Sequence, residues 1–332
     1  MITRRLLGAF FAAAIASGPA LAQNYPEREL TGIIMWGAGG ATDVVARAIT
    51  PSAEKALGQP IVLQNRPGGV GAISTAYVNS QPADGYTLLY GAENPQIHKV
   101  MGLSQIDYKD FFPVNVIARG IAVVVANNNT PWSSLKELVE DAQKRPGAIK
   151  MGSTGPGGVA HVVNTMLSNV TPFRVASIPF DGEGPGITAL QGGHVDYMPV
   201  GLSAAAEHIK AGRVKVLAVV NAESLETLPN VPPITRDFPQ FAKFLPWGPF
   251  YGVFVKKGAP EAAKAKLVEA FKQAAGNEQF TKMMVDRGNV MMNISGEEAD
   301  DFLAKYQAVT SWTLHEAGAA KKSPEEFQIP RP

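Results

Sequence analysis

The chain has 332 residues, with 30 Lys and Arg against 29 Asp and Glu and no cysteine. The missing thiols exclude a disulfide, a lipid-bearing N-terminal cysteine, thiolate-ligated zinc and thiol catalysis. A charge balance near zero provides no electrostatic footprint for nucleic acid or an anionic membrane, and about 150 residues per domain suggests two lobes.

The first 22 residues read as a cleavable export signal. Arg4 and Arg5 precede an apolar stretch over 6–15, and Ala20-Leu21-Ala22 has the small-x-small form of a signal-peptidase site, so cleavage is expected after Ala22 and the mature chain is expected in the periplasm. Arg4-Arg5-Leu6-Leu7 also resembles a twin-arginine signal, which leaves the export route open. The apolar stretch is shorter than the ~20 residues a spanning helix needs.

Downstream, short apolar runs alternate with helical patterns, which indicates an α/β protein built on parallel strands. The expected strands are 30–36, 61–64, 87–90, 121–126, 149–152, 175–180, 195–200, 214–219 and 251–255. The clearest helix carries Val159, Val162, Val163, Met166 and Leu167 on one face at helical period. Further helices are expected at 132–144, 203–211, 261–275 and 297–314, and Pro51 marks a kink or a fresh start after Thr50 in the helix that follows residue 42. Polar and proline-rich segments at 127–131 and 221–233 read as linkers. They divide the mature chain into a first lobe, 23–124 plus 247–332, and a second, 125–246, so the chain crosses twice through a two-strand hinge.

Two glycine loops stand out. Trp36-Gly37-Ala38-Gly39-Gly40 leads into a helix begun by Thr42 and Asp43, and Gly152-Ser153-Thr154-Gly155-Pro156-Gly157-Gly158 leads into the helix carrying His161. Glycines at a strand-to-helix turn let several N–H groups converge at the positive end of a helix, an anion site that suits a carboxylate as well as a phosphate. Neither loop is GxGxxG, and the second lacks a P-loop lysine, so no nucleotide cofactor is expected.

These segments, together with Tyr25-Pro26, LGQPIVLQNRPGGVGAI (57–73), ADGYTLLYG (83–91), IPFDGEGPGITALQGGHVDYM (178–198) and HIKAGRVKVLAV (208–219), occur in an order that resembles the substrate-binding proteins of tripartite tricarboxylate transporters, the Bug family. The resemblance implies a monomeric type II periplasmic binding fold. Its lobes close on a small organic carboxylate or zwitterion, which passes to membrane permease subunits. It also implies ligand contacts from Ala38, Gly39, Gly40, Thr42 and Asp43 on the first lobe and from Ser153, Thr154, Gly155, Gly157 and His161 on the second. Gly91, Phe180 and Met198, in shared segments, complete the expected lining.

The departures from the family pattern carry the specificity argument. Met35-Trp36 replaces the usual Pro-Phe, so Trp36 either caps the core or walls the ligand, whereas Trp247 reads as packing. His161 is either a structural histidine or a ligand contact. Asp181 stands where the family tends to have a basic residue, and with Glu93 and Asp43 it would give an acidic lining that repels a second ligand carboxylate. A monocarboxylate or zwitterion is therefore expected, any amino group facing Asp181 or Glu93. Catalysis is not expected. GSTGPGG and GLSAA both fail the GxSxG pattern, no acid is evident to orient His161 towards Ser153, and the five histidines lack metal spacing. A receptor that reports to a sensor partner remains an alternative to one that delivers.

Overall fold

The computed structural model describes residues 25–332, so the expected signal peptide and its cleavage site lie outside the described residues. The strands are β1 (Leu30–Ile34), β2 (Ile61–Asn65), β3 (Thr87–Ala92), β4 (Phe111–Arg119), β5 (Ala122–Ala126), β6 (Lys150–Ser153), β7 (Ala176–Pro179), β8 (Tyr197–Gly201), β9 (Lys215–Val220), β10 (Phe250–Lys256) and β11 (Val290–Ile294). The helices are α1 (Ala41–Leu57), α2 (Ala72–Ser80), α3 (Leu135–Lys144), α4 (Val159–Val170), α5 (Glu183–Gln191), α6 (Leu202–Lys210), α7 (Ile234–Asp237), α8 (Glu261–Ala275), α9 (Glu278–Asp286) and α10 (Gly296–Glu316).

The strands form two sheets, one ordered β11-β4-β10-β3-β1-β2 and the other β7-β6-β8-β5-β9. Both are mixed rather than wholly parallel. The βαβ units pair in parallel, β1 with β2 and β3, and β6 with β7 and β8. The strands that follow a crossing, β5 and β10, run antiparallel to their neighbours. A strand that enters a sheet from the other lobe arrives from the opposite end, which reverses its direction.

The first crossing lies at Gly120 and Ile121, so β5 belongs wholly to the second sheet and the change of lobe precedes residue 124. Segment 127–131 is correspondingly a turn inside the second lobe, where the buried Asn127 side chain donates to the Leu190 carbonyl at 2.6 Å. The return crossing runs beside the first. Gly120 N–H donates to Pro249 O at 2.7 Å, and a Cβ on Gly248 would lie 2.2 Å from Gly120 O, so the two hinge segments touch backbone to backbone.

Helix α1 continues through Pro51 without a fresh start, and Thr50 Oγ1 donates back to Ala46 O at 2.7 Å instead of capping a new helix. The apolar face of α4 buries Val162, Val163, Met166 and Leu167 against the second sheet. Each such side chain is worth about 1.5–3 kcal/mol in burial. Trp247 is 3% exposed and donates through Nε1 to Thr310, a packing role. Among the described residues no helix is long and apolar enough to cross a membrane.

Candidate functional site

The first glycine loop joins β1 to α1 and is braced from inside the helix. Asp43 Oδ2 accepts from Gly39 N–H at 3.0 Å, and Oδ1 accepts from Arg47 Nε at 2.9 Å and Asn65 Nδ2 at 2.8 Å. Burial pushes the Asp43 carboxyl upward in pKa, but the bonds from Arg47, Gly39 and Asn65 outweigh it and hold the group below its ordinary value. Both oxygens are thus engaged within the protein, and Asp43 is a loop brace rather than part of an acidic lining. Gly40 caps α1 without a side chain, so the helix begins with free donors. Ala41 N–H donates to Glu183 Oε2 at 3.2 Å, while the N–H groups of Thr42 and Asp43 have no acceptor among the described residues.

The second loop joins β6 to α4 and is also capped by a bare glycine, Gly158. Gly155 N–H donates to Ser153 Oγ at 3.1 Å, and Gly157 N–H donates to His161 Nδ1 at 3.1 Å. Burial lowers the His161 pKa, which keeps the imidazole neutral and able to accept. His161 therefore fastens the loop, and the Gly157 amide is not available to a ligand. The first-turn donors of Val159, Ala160 and His161 have no acceptor among the described residues.

The lobes touch along these loops. Gly37 N–H donates to Asp181 O at 2.9 Å, and a Cβ on Gly184 would lie 2.1 Å from Ala38 O. On the other loop, Asn94 Nδ2 donates to Gly157 O at 3.0 Å, and a Cβ on Gly157, whose φ is +87°, would lie 2.7 Å from Ile97 Cδ1. The glycines let opposing backbones approach within contact distance as well as freeing amides.

Between the loops lies an inner cavity of ≈ 20 Å³, lined by Trp36, Gly40, Thr42, Glu93, Thr154 and Val159 and closed by Glu183 and Tyr251. That is room for about one water. Trp36 and Thr154 also wall a neighbouring groove of ≈ 540 Å³, formed with Val70, Gly155, Phe180 and Asp181. The other expected site residues lie elsewhere. Ala38 and Gly39 are exposed where the first loop meets Gly184. Gly91 makes room for Tyr108, Ser153 is buried under its own loop, and Met198 packs beneath Gly152 and Gly186.

The electrostatics of the inner cavity are those of two acids. Glu93 is 3% exposed, and its Oε2 has no hydrogen-bond partner. Burial, reinforced by the nearby Glu183 charge, pushes its carboxyl up to about 8. Glu183 is raised too, chiefly by burial, against bonds from Gly201 N–H (2.6 Å) and Ala41 N–H. The buried Tyr251 hydroxyl is likewise unpartnered. Reading the sequence overlooked Glu183 and Tyr251. Neither had a usable signal: Gly182, Gly184, Pro185 and Gly186 around the first obscure the helix it begins, and the second lies near the start of an apolar strand. Asp181, exposed and outside this cavity, lies two residues from the acid that enters it.

No group of three His, Asp or Glu side chains placed to hold a metal occurs among the described residues. Ser153 Oγ and His161 Nδ1 each take a loop amide, and no hydrogen bond joins one to the other.

A family profile described as "Tripartite tricarboxylate transporter family receptor" matches residues 45–313, beginning just after the first glycine loop. Protein BugT of Bordetella pertussis is 28% identical over 324 residues, covering 96% of this chain and 98% of that one. The solved structure of the periplasmic binding protein BugD has a TM-score of 0.84 at 26% identity, over 90% of this chain and 100% of that chain. MatC from Rhodopseudomonas palustris, solved with bound malate, has a TM-score of 0.77 at 26% identity, over 86% and 100%. BugD is a periplasmic binding protein, and the matched family is one of transporter receptors rather than enzymes. With its two-lobed α/β fold and its cavity between glycine loops, the chain belongs to the tripartite tricarboxylate transporter receptor family, the Bug family.

Proposed function

We propose that the chain is exported through the signal peptide at residues 1–22, binds one small monocarboxylate or zwitterion as a monomer in the periplasm, and delivers it to permease subunits of a tripartite tricarboxylate transporter. One observation carries this reading: the N-termini of α1 and α4, each capped by a bare glycine, face a single cavity that Thr42 and Thr154 both line. Two positive helix ends with unfilled N–H donors favour one carboxylate between them. The malate bound to MatC, a relative of 26% identity, supports the same class of ligand.

Capture works by closure. The cavity is too small for an organic acid while the loops touch, so the lobes part about the 120/249 hinge to admit it, and contacts from both lobes then favour the closed form. The Glu183 carboxylate in the cavity lining disfavours a second ligand carboxylate there. Native mass spectrometry of the gently purified mature protein tests the reading. A low-mass adduct that is released on denaturation and carries a carboxyl group is the expected result. An adduct without an acidic group, or no stabilisation of the protein by any small organic acid, would overturn it.

A further inference from the structure

Each of the two lobes contributes a carboxylate to the inner cavity. Glu93 follows β3 in the first lobe, and Glu183 begins α5 in the second. Glu183 is anchored, with both oxygens accepting backbone N–H groups, whereas Glu93 Oε2 is buried and unpartnered. The hydroxyl of Tyr251, a residue 2% exposed that lines the same cavity, is unpartnered too. A buried acceptor without a donor costs about 1–3 kcal/mol, and more when charged. Three oxygen-bearing side chains around a space this small therefore make a poor resting place for a carboxylate and a good one for a donor.

Other parts of the lining have the reverse character. Thr154 of the second glycine loop and Val159, the first residue of α4, belong to the lining, and the N–H groups of Val159, Ala160 and His161 lack acceptors. The cavity lining thus combines free helix donors from α1 and α4 with the side-chain oxygens of Glu93, Glu183 and Tyr251.

We propose that the cluster of Glu93, Glu183 and Tyr251 is a subsite for a positively charged amino group, bound by Glu93 from one lobe and Glu183 from the other with the Tyr251 hydroxyl as third partner. The inference rests on the receptor reading and narrows it to small amino acids, whose carboxylate lies against the free first-turn N–H groups of α1 and α4. Because the ammonium bridges the lobes, it also contributes to closure.

Proton balance follows from the surroundings. Glu93 faces Glu183 on α5, Tyr251 on β10, Tyr108 just before β4 and Tyr306 on α10. Arg119 acts on Tyr306, and no cation contributes to the shift of either carboxylate. Near neutral pH Glu93 therefore holds a proton, which passes to buffer when the ammonium, itself unchanged, arrives.

Calorimetric titration of the mature protein with matched probes tests this: L-alanine and 4-aminobutyrate against propionate and butyrate, which lack only the amino group. The amino compounds are expected to bind more tightly, with a heat that differs between phosphate and Tris buffer because a proton is released. Glu93→Gln is expected to abolish that buffer dependence. Both it and Glu183→Gln should weaken amino-acid binding by about 10- to 100-fold, the value of a charge-assisted bond, with thermal midpoints recorded to confirm folding. If propionate or butyrate binds as tightly as its amino counterpart, the subsite is refuted while the receptor reading stands. If no member of either set binds, the subsite is refuted too, and the receptor reading is decided by the native mass spectrometry above.

Discussion

Glu183 Oε2 lies 3.2 Å from the backbone nitrogen of Ala41, the first residue of α1, so a carboxylate of the second lobe sits on the positive end of a helix in the first. Its other oxygen accepts from Gly201 N–H at 2.6 Å within its own lobe. One side chain therefore ties the lobes together and fills one of the three free donors of α1. What remains for a ligand is the pair on Thr42 and Asp43, together with the three on α4.

Closure depends on glycine at 184. A Cβ there would lie 2.1 Å from Ala38 O, a backbone atom that cannot turn aside. Gly184→Ala is expected to hold the lobes apart while each lobe remains folded. Small-angle scattering should show a larger radius of gyration, and affinity for the co-purifying solute should fall by about tenfold or more. An unchanged radius and affinity would show that the lobes do not meet here on binding.

The loops themselves are held at positive φ, +79° at Gly39 and +87° at Gly157. Valine is strained there by roughly 1–3 kcal/mol, and at 157 it would also meet Ile97, 2.7 Å from the added Cβ. Gly39→Val and Gly157→Val should therefore lower ligand affinity with circular dichroism unchanged. Equal affinity in both variants would mean that the loops do not form the grip.

Removing the brace tests the first loop from another side. Asp43→Ala frees Gly39 N–H, Arg47 and Asn65 at once. The expected loss is about 1–3 kcal/mol of unfolding free energy in a denaturant titration, and faster hydrogen exchange confined to the loop should accompany it.

Glu93 makes stability depend on pH. Its carboxyl titrates at about 8 in the folded chain against an ordinary 4.5. Between those values the native state keeps a proton that the unfolded state has released, so stability falls as pH rises through that window. Glu93→Gln cannot ionise and should flatten the slope. Its midpoint should exceed the wild type's near pH 8 by the equivalent of a few kcal/mol and converge with it near pH 4.5. Parallel midpoint curves for the two proteins would contradict the burial of an ionisable acid here.

Much of this architecture is legible in the sequence because it is local. The period of Val159 to Leu167 gives α4, and the glycine runs give both turns. Strand β4 is hidden by Pro113, which removes a ladder donor; the irregular register opposite Val253 and Phe254 accommodates it. Helix α5 is hidden by Gly184, Pro185 and Gly186, poor helix formers retained because that end packs against Ala38, Gly39 and Met198. The site divides in the same way. Trp36, Thr42, Glu93 and Thr154 lie beside recognisable loops and line the inner cavity. Glu183 and Tyr251 come from different lobes, and only the tertiary contact between those lobes brings them to one point.

The most direct measurement is a crystal structure of the mature protein with its co-purified solute. The account expects a solute carboxylate within hydrogen-bond distance of the free first-turn N–H groups of α1 and α4, reached from both lobes at once. A solute whose acidic group lies outside both helix ends, with the inner cavity holding only water, would contradict it.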